Sequence, residues 1–124
     1  MAYLIVFLGG GIGAMLRHGV NVAAARVLGT NFPFGTLAVN VTGSLVMGLL
    51  AAYFGFRSGA SQHWRLFLTT GILGGYTTFS TFSLDVALLY KRGELGLAFL
   101  YVLVSVLVSI AALFGGLILI RHFS

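Results

Sequence analysis

Three stretches of this apolar chain concentrate the groups that could do chemistry. The first is Thr69 to Ser83, TTGILGGYTTFSTFS, in which ten of 15 residues are Gly, Ser or Thr. Gly74 and Gly75 followed by Thr77 and Thr78 are poor helix formers, so an interruption at Gly74 to Thr78 is expected. Backbone carbonyls freed at such an interruption would suit a hard cation such as Na⁺. The second stretch centres on Asn40, with Thr36 and Ser44 four residues to either side on one helix face. The third is a line of hydroxyls, Tyr101, Ser105 and Ser109, continued by Ala112 and Gly116. Amide N–H and hydroxyl groups donate hydrogen bonds, and Phe79 and Phe82 can offer the positive edges of their rings. Such a lining favours a small hydrogen-bond-accepting anion. Neutral donors in series also let the anion leave again. Each element has a structural alternative: small residues for close helix packing, Asn40 as an interhelical tie, and serines bonded to their own helix.

Other chemistries lack the residues. The chain has no cysteine, and His18, His63 and His122 are scattered without ligand spacing. No nucleophile–base pair stands out, so an enzyme is not expected. Gly9, Gly11 and Ala14 match a dinucleotide-binding pattern, but the only acids are Asp85 and Glu94, which leaves the pattern without its ribose-binding acid. Gly9 and Gly13 instead have the small-xxx-small spacing of packed membrane helices. The net charge of +5 comes from basic residues spread along the chain; it suits lipid head groups rather than nucleic acid.

The elements that must position these groups are membrane spans. The chain is 59% hydrophobic and 7% charged over 124 residues, against about 25% charged in soluble domains. A crossing needs about 20 apolar residues, and four candidates run over residues 2–28, 35–56, 66–90 and 95–120. They form a single all-α transmembrane domain over residues 1–124, with the third helix interrupted near its centre. The first span contains Arg17, placed near an interface or a water-filled mouth. A cleaved signal peptide is disfavoured, because no basic residue precedes the apolar run and no small-residue cleavage site follows it. Short loops are expected at Gly29 to Phe34, Arg57 to Arg65 and Lys91 to Glu94. Tyr3, Tyr53, Trp64 and Tyr90 fall at span ends, where amphipathic rings belong.

Charge placement bears on orientation. Arg57, Arg65 and Arg121 fall on one side, and Arg26, Lys91 and Arg92 on the other. Orientation follows an excess of Lys and Arg on the cytoplasmic side, and here there is almost none. The expectation is a chain that inserts both ways round and pairs as an antiparallel homodimer, with a single weakly biased orientation as the alternative.

Three motifs carry a family resemblance: GGGIGAMLR (Gly9 to Arg17), FGTLAVNVTGS (Phe34 to Ser44) and GGYTTFSTFS (Gly74 to Ser83). Along its whole length the chain resembles the Fluc (CrcB) fluoride channels. The resemblance implies a dual-topology homodimer in the bacterial inner membrane, with two fluoride pores. It also implies a structural Na⁺ held by the backbone carbonyls of Gly74 and Thr77. It assigns Phe79, Phe82 and Asn40 to the pore, along with the hydroxyls of Tyr101, Ser105 and Ser109 and contributions from Ser80 and Thr81. Arg17 matches an arginine near the pore mouth. Two residues depart from the family pattern: Asp85 stands where Glu is expected, and His18 where an aromatic residue is commoner. The implied role is passive export of fluoride that enters as neutral HF, driven by the membrane potential at about 2.3 kcal/mol per charge per 100 mV. The rival readings are a small dual-topology multidrug carrier, which would want a carboxylate in its first span, and a structural or holin-like protein.

Overall fold

A backbone surrounded by lipid must satisfy its own hydrogen bonds, so apolar segments of this length become helices. The computed structural model describes residues 1–56 and 62–123. Residues 57–61, most of the expected second loop including Arg57, lie outside them, as does Ser124. Helix α1 is Ala2–Leu28, α2 is Phe34–Phe56, and α3 is a single turn, Gln62–Arg65. A π-helical stretch, Leu66–Leu73, follows α3 and leads into α4, Gly74–Tyr76. The remaining helices are α5, Ser80–Lys91, and α6, Leu95–Phe123. Four stretches are long and apolar enough to cross a membrane: Ala2–Leu28, Phe34–Gly55, Gln62–Lys91 and Leu95–His122. The chain is thus a multi-pass membrane protein, and its spans lie within a few residues of the bounds expected from sequence.

Large apolar side chains point outward, as at Tyr3, Phe7, Phe99 and Leu107. Lipid tails are as apolar as those side chains, so helix association must come from close packing and hydrogen bonds. Glycines supply the packing. A Cβ added at Gly13 would coincide with the Ile72 carbonyl oxygen, and one at Gly9 would lie 2.9 Å from Gly71 Cα. One added at Gly75 would lie 2.9 Å from Gly10 Cα. The α2–α6 contact is built the same way, since a Cβ at Gly116 would fall 2.7 Å from the Leu49 nitrogen.

The third span departs from its sequence reading in one respect. Gly74 and Gly75 are helical, and the residues outside the helices are 77–79. The glycine pair lets backbones approach, and it does not end the helix. Helical geometry is lost at Thr77, which is extended (φ −83°, ψ 156°). On the N-terminal side of this point the span packs on α1; beyond it, α5 packs on α6. The first half is also fastened to α2. Arg65 donates to the Phe54 carbonyl at 3.2 Å, and its guanidinium carbon lies 5.4 Å from the centre of the Phe54 ring.

Tight connections join the remaining elements. Gly93, at φ 78°, closes α5 with bonds from Glu94 N–H to Leu89 O and Gly93 N–H to Tyr90 O, both 3.0 Å, which is a Schellman stop. Arg92 then ties two loops together, donating to the Asn31 carbonyl at 2.6 Å and to Glu94 Oε2 at 2.9 Å.

Candidate functional site

A residue in extended backbone at membrane depth leaves an N–H and a C=O without helical partners. At Thr78 both are taken by one side chain. Asn40 Nδ2 donates to Thr78 O at 2.9 Å, and Thr78 N–H donates to Asn40 Oδ1 at 2.9 Å. The amide mimics the edge of a neighbouring strand. Each of those groups, left unpaired, would cost about 1–3 kcal/mol. Thr78 Oγ1 in turn accepts from Thr81 N–H at 3.2 Å, helping to start α5. Thr77 folds back, with both its N–H and its Oγ1 donating to Leu73 O at 3.0 Å. Its methyl occupies the space where a Cβ on Gly43 would be.

Asn40 therefore does not present both its N–H donors to an open path, as its sequence position suggested. Its oxygen and one N–H are committed to Thr78. The partner lies 38 residues away, a distance that spacing along one helix cannot reveal.

Beside this junction lies a cleft of about 390 Å³. It brings together Asn40, Thr77, Thr78, Phe79, Phe82, Ser105 and Ser109. The hydroxyls of Ser105 and Ser109 are buried and have no hydrogen-bond partner within the chain. Neither bonds back to its own helix, as many serines in membrane helices do. Phe82 is 8% exposed and Phe79 76%. Their rings stand 5.6 Å apart at an interplanar angle of 49°. No acidic residue lines the cleft.

The expected line of three hydroxyls divides. Tyr101 is fully buried, and its O–H donates to Asp85 Oδ2 at 3.1 Å. Its ring packs under Phe82 at 5.1 Å, so it supports the cleft without lining it. The sequence reading left Asp85 without a partner. Its position as the one acid inside a span was the available signal, since such a carboxylate needs a named donor. Ser80 and Thr81 also lie outside the cleft lining; Ser80 Oγ is 3.4 Å from Thr78 Oγ1. Gly74 borders a separate concavity of about 590 Å³ with Arg65, Thr69 and Thr70. Arg17 is half-buried on α1 and does not line the cleft.

Among the described residues, no group of three or more His, Cys, Asp or Glu could hold a metal. The cleft thus offers hydroxyl donors and aromatic rings without a carboxylate, a thiolate or an imidazole. That set is able to bind a small anion through hydrogen bonds and lacks groups for covalent chemistry.

Residues 4–117 match the family model described as CrcB-like protein, Camphor Resistance (CrcB). The chain belongs to the CrcB family. A Rhodopseudomonas palustris protein named fluoride-specific ion channel FluC is 68% identical over 121 residues, covering 98% of each chain. A Nitrobacter hamburgensis protein named fluoride-specific ion channel FluC 2 is 62% identical over 122 residues, again covering 98% of each. A Methylobacterium nodulans protein with the FluC name is 59% identical over 120 residues. This CrcB chain carries the Asn40–Thr78 junction and the cleft in the part that the family model covers.

Proposed function

We propose that this CrcB-family protein is a passive, fluoride-selective channel and not an enzyme. The observation that carries the reading is the pair of buried, unpartnered hydroxyls of Ser105 and Ser109 in an acid-free cleft, in a chain so similar to proteins named as fluoride channels. Fluoride accepts hydrogen bonds strongly, and hydroxyls lacking an internal acceptor are ready to donate. Phe79 and Phe82 border the same path and contribute ring edges. The channel exports fluoride from the bacterial cytoplasm, across the inner membrane, down its electrochemical gradient, and so confers resistance.

The working unit in this reading is an antiparallel homodimer. Its support is the near-even charge count across the spans and the exposure of Phe79 at membrane depth, which leaves one wall of the cleft for a second copy. A structural Na⁺ fits the backbone around the interruption. The Thr78 N–H, which would close the next helical turn on Gly74 O, goes to Asn40 instead, and Thr77 is extended. One chain supplies two such carbonyls, from Gly74 and Thr77, and a second copy would double the set. Hard cations take oxygen ligands of this kind. The Thr77 hydroxyl is spent on Leu73 O, so its carbonyl is the group available. The multidrug-carrier alternative is disfavoured because α1 has no acid and Asp85 is held by Tyr101.

Fluoride efflux from liposomes holding the purified protein tests the channel. Expected is fluoride efflux without chloride efflux, slowed by Phe79→Ile or Phe82→Ile with assembly intact, and lost when Na⁺ is replaced by a larger cation. Equal chloride efflux, or no fluoride efflux, defeats the channel reading; normal conduction by both phenylalanine variants defeats the assigned path.

A further inference from the structure

Five aromatic rings form an unbroken contact chain from a loop at the membrane surface to the interruption in the third span. Phe34 stands 4.9 Å from Phe32, and Phe32 stands 5.4 Å from Tyr101 in an edge-on contact at 83°. Tyr101 stands 5.1 Å from Phe82, and Phe82 stands 5.6 Å from Phe79. All these separations fall in the range in which aromatic pairs attract, about 4.5–7 Å.

The chain is anchored at its outer end. Phe32 sits in a tight turn around Pro33, closed by Phe34 N–H donating to Phe32 O at 2.8 Å. The proline ring fixes φ in that turn. Asn31, next to it, is held by Arg92 at 2.6 Å. Phe32 packs against the buried cluster of Phe82, Leu89, Ala98 and Tyr101. Tyr101 has no freedom within that cluster. It is fully buried, with Phe32 at one ring contact, Phe82 at another and its hydroxyl on Asp85. Phe82 therefore rests on a ring that Phe32 holds in place. Packed interiors transmit such displacements, because a lost ring leaves a void that neighbours fill only in part.

We propose that Phe32, a loop residue that touches no part of the cleft, is a positioning residue for the pore: through Tyr101 it sets where Phe82, and with it Phe79, stands along the fluoride path. The proposal rests on the channel reading above, in which Phe82 borders that path. Phe32 is absent from the cleft lining, so an effect of its removal on flux has to pass through Tyr101.

The test compares Phe32→Ala, the milder Phe32→Leu, and Phe114→Ala, which removes a ring of the same kind from the lipid-facing surface of α6, where Phe114 is 56% exposed. Liposome fluoride flux should fall roughly two- to tenfold for Phe32→Ala, in keeping with the strength of one aromatic contact. It should fall less for Phe32→Leu and stay unchanged for Phe114→Ala. In a Phe82→Ile background, Phe32→Ala should produce little further loss, the non-additivity expected of residues acting through one contact. A ¹⁹F NMR signal from 4-fluorophenylalanine placed at position 82 alone should shift in both Phe32 variants and stay put in Phe114→Ala. That signal also serves if Phe32→Ala does not assemble, because Phe32→Leu keeps most of the volume and still removes the ring edge.

Unchanged flux in the Phe32 variants, a loss that multiplies fully with Phe82→Ile, or an unmoved ¹⁹F signal overturns the positioning role. If Phe82→Ile slows flux while any of these holds, the channel path survives and only the positioning role is lost. If Phe82→Ile itself conducts normally, the path assignment fails first and takes the positioning role with it.

Discussion

Two regions of this molecule use small and polar residues in a greasy chain for opposite ends. Along the seam between α1 and the first half of the third span, Gly9, Gly13, Gly71 and Gly75 remove side chains so that one backbone lies on another. At the junction between α2 and residues 77–79, Asn40 adds a side chain, so that backbone groups with no helical partner find one. The seam works by absence and is sensitive to volume. The junction works by hydrogen bonding and is sensitive to chemistry at nearly constant volume. Beside the junction, Ser105 and Ser109 do neither: they are buried, they bond to nothing in the chain, and they border an open cleft. Polar groups that stabilise the fold and polar groups left over for a ligand are thus told apart by their partners, where residue type alone does not separate them.

Breaking the seam should have the largest effect. Gly13→Ala places a Cβ on the Ile72 carbonyl and 2.8 Å from the Tyr76 nitrogen, where backbone has to move. The expected cost is about 3 kcal/mol or more, at the upper end of overpacking, read as loss of a monodisperse peak on size exclusion in detergent. Breaking the junction comes next. Asn40→Leu keeps the volume but strands the Thr78 N–H and C=O, with an expected cost of about 2–4 kcal/mol, measured as a lowered thermal midpoint together with lost flux. If Asn40→Leu melts like the wild type, the junction is not what holds residues 77–79.

Smaller effects sharpen the distinction. Ser105→Ala and Ser109→Ala remove hydroxyls that have no internal partner, so each thermal midpoint should hold steady or rise slightly. Fluoride flux should nonetheless fall several-fold. A drop in stability matching the drop in flux would make these serines structural after all. Gly11 provides the smallest effect and the cleanest control. It stands two residues from Gly13, yet a Cβ there meets nothing within 4 Å. Gly11→Ala should leave flux unchanged and stabilise the helix by up to about 1 kcal/mol.

The sequence made some of this legible. The spans could be read because an apolar stretch of that length has helix as its one workable form in lipid. The spacing of Gly9 and Gly13 pointed to packing, and the seam carries it. Asn40, Phe79, Phe82, Ser105 and Ser109 were singled out and meet at one cleft. The residues alone reached only a small anion; naming fluoride needed the family resemblance. Three features stayed hidden because each depends on a distant partner. The interruption fell at 77–79, beyond the glycines, since its position is set by Asn40 on another helix. Tyr101 turned to Asp85, 16 residues earlier in sequence, and away from the hydroxyl line. The π-helical stretch at Leu66–Leu73 has no signature in its apolar sequence.

That wide turn bears on how the span is phased. The first half of the third span is held to α2 at two points, by Arg65 on Phe54 and by Thr78 on Asn40, and the π-helical stretch lies between them. A π turn accommodates one residue more than an α turn, and one residue of α-helix is about 100° of rotation. The extra residue acts as a vernier, bringing both clasps to face the same neighbour. Deleting a single residue between Leu66 and Leu73 would leave hydropathy, length and every recognisable motif nearly intact, yet turn one clasp away from α2. In this protein an insertion or deletion within that segment is a change of angle before it is a change of length.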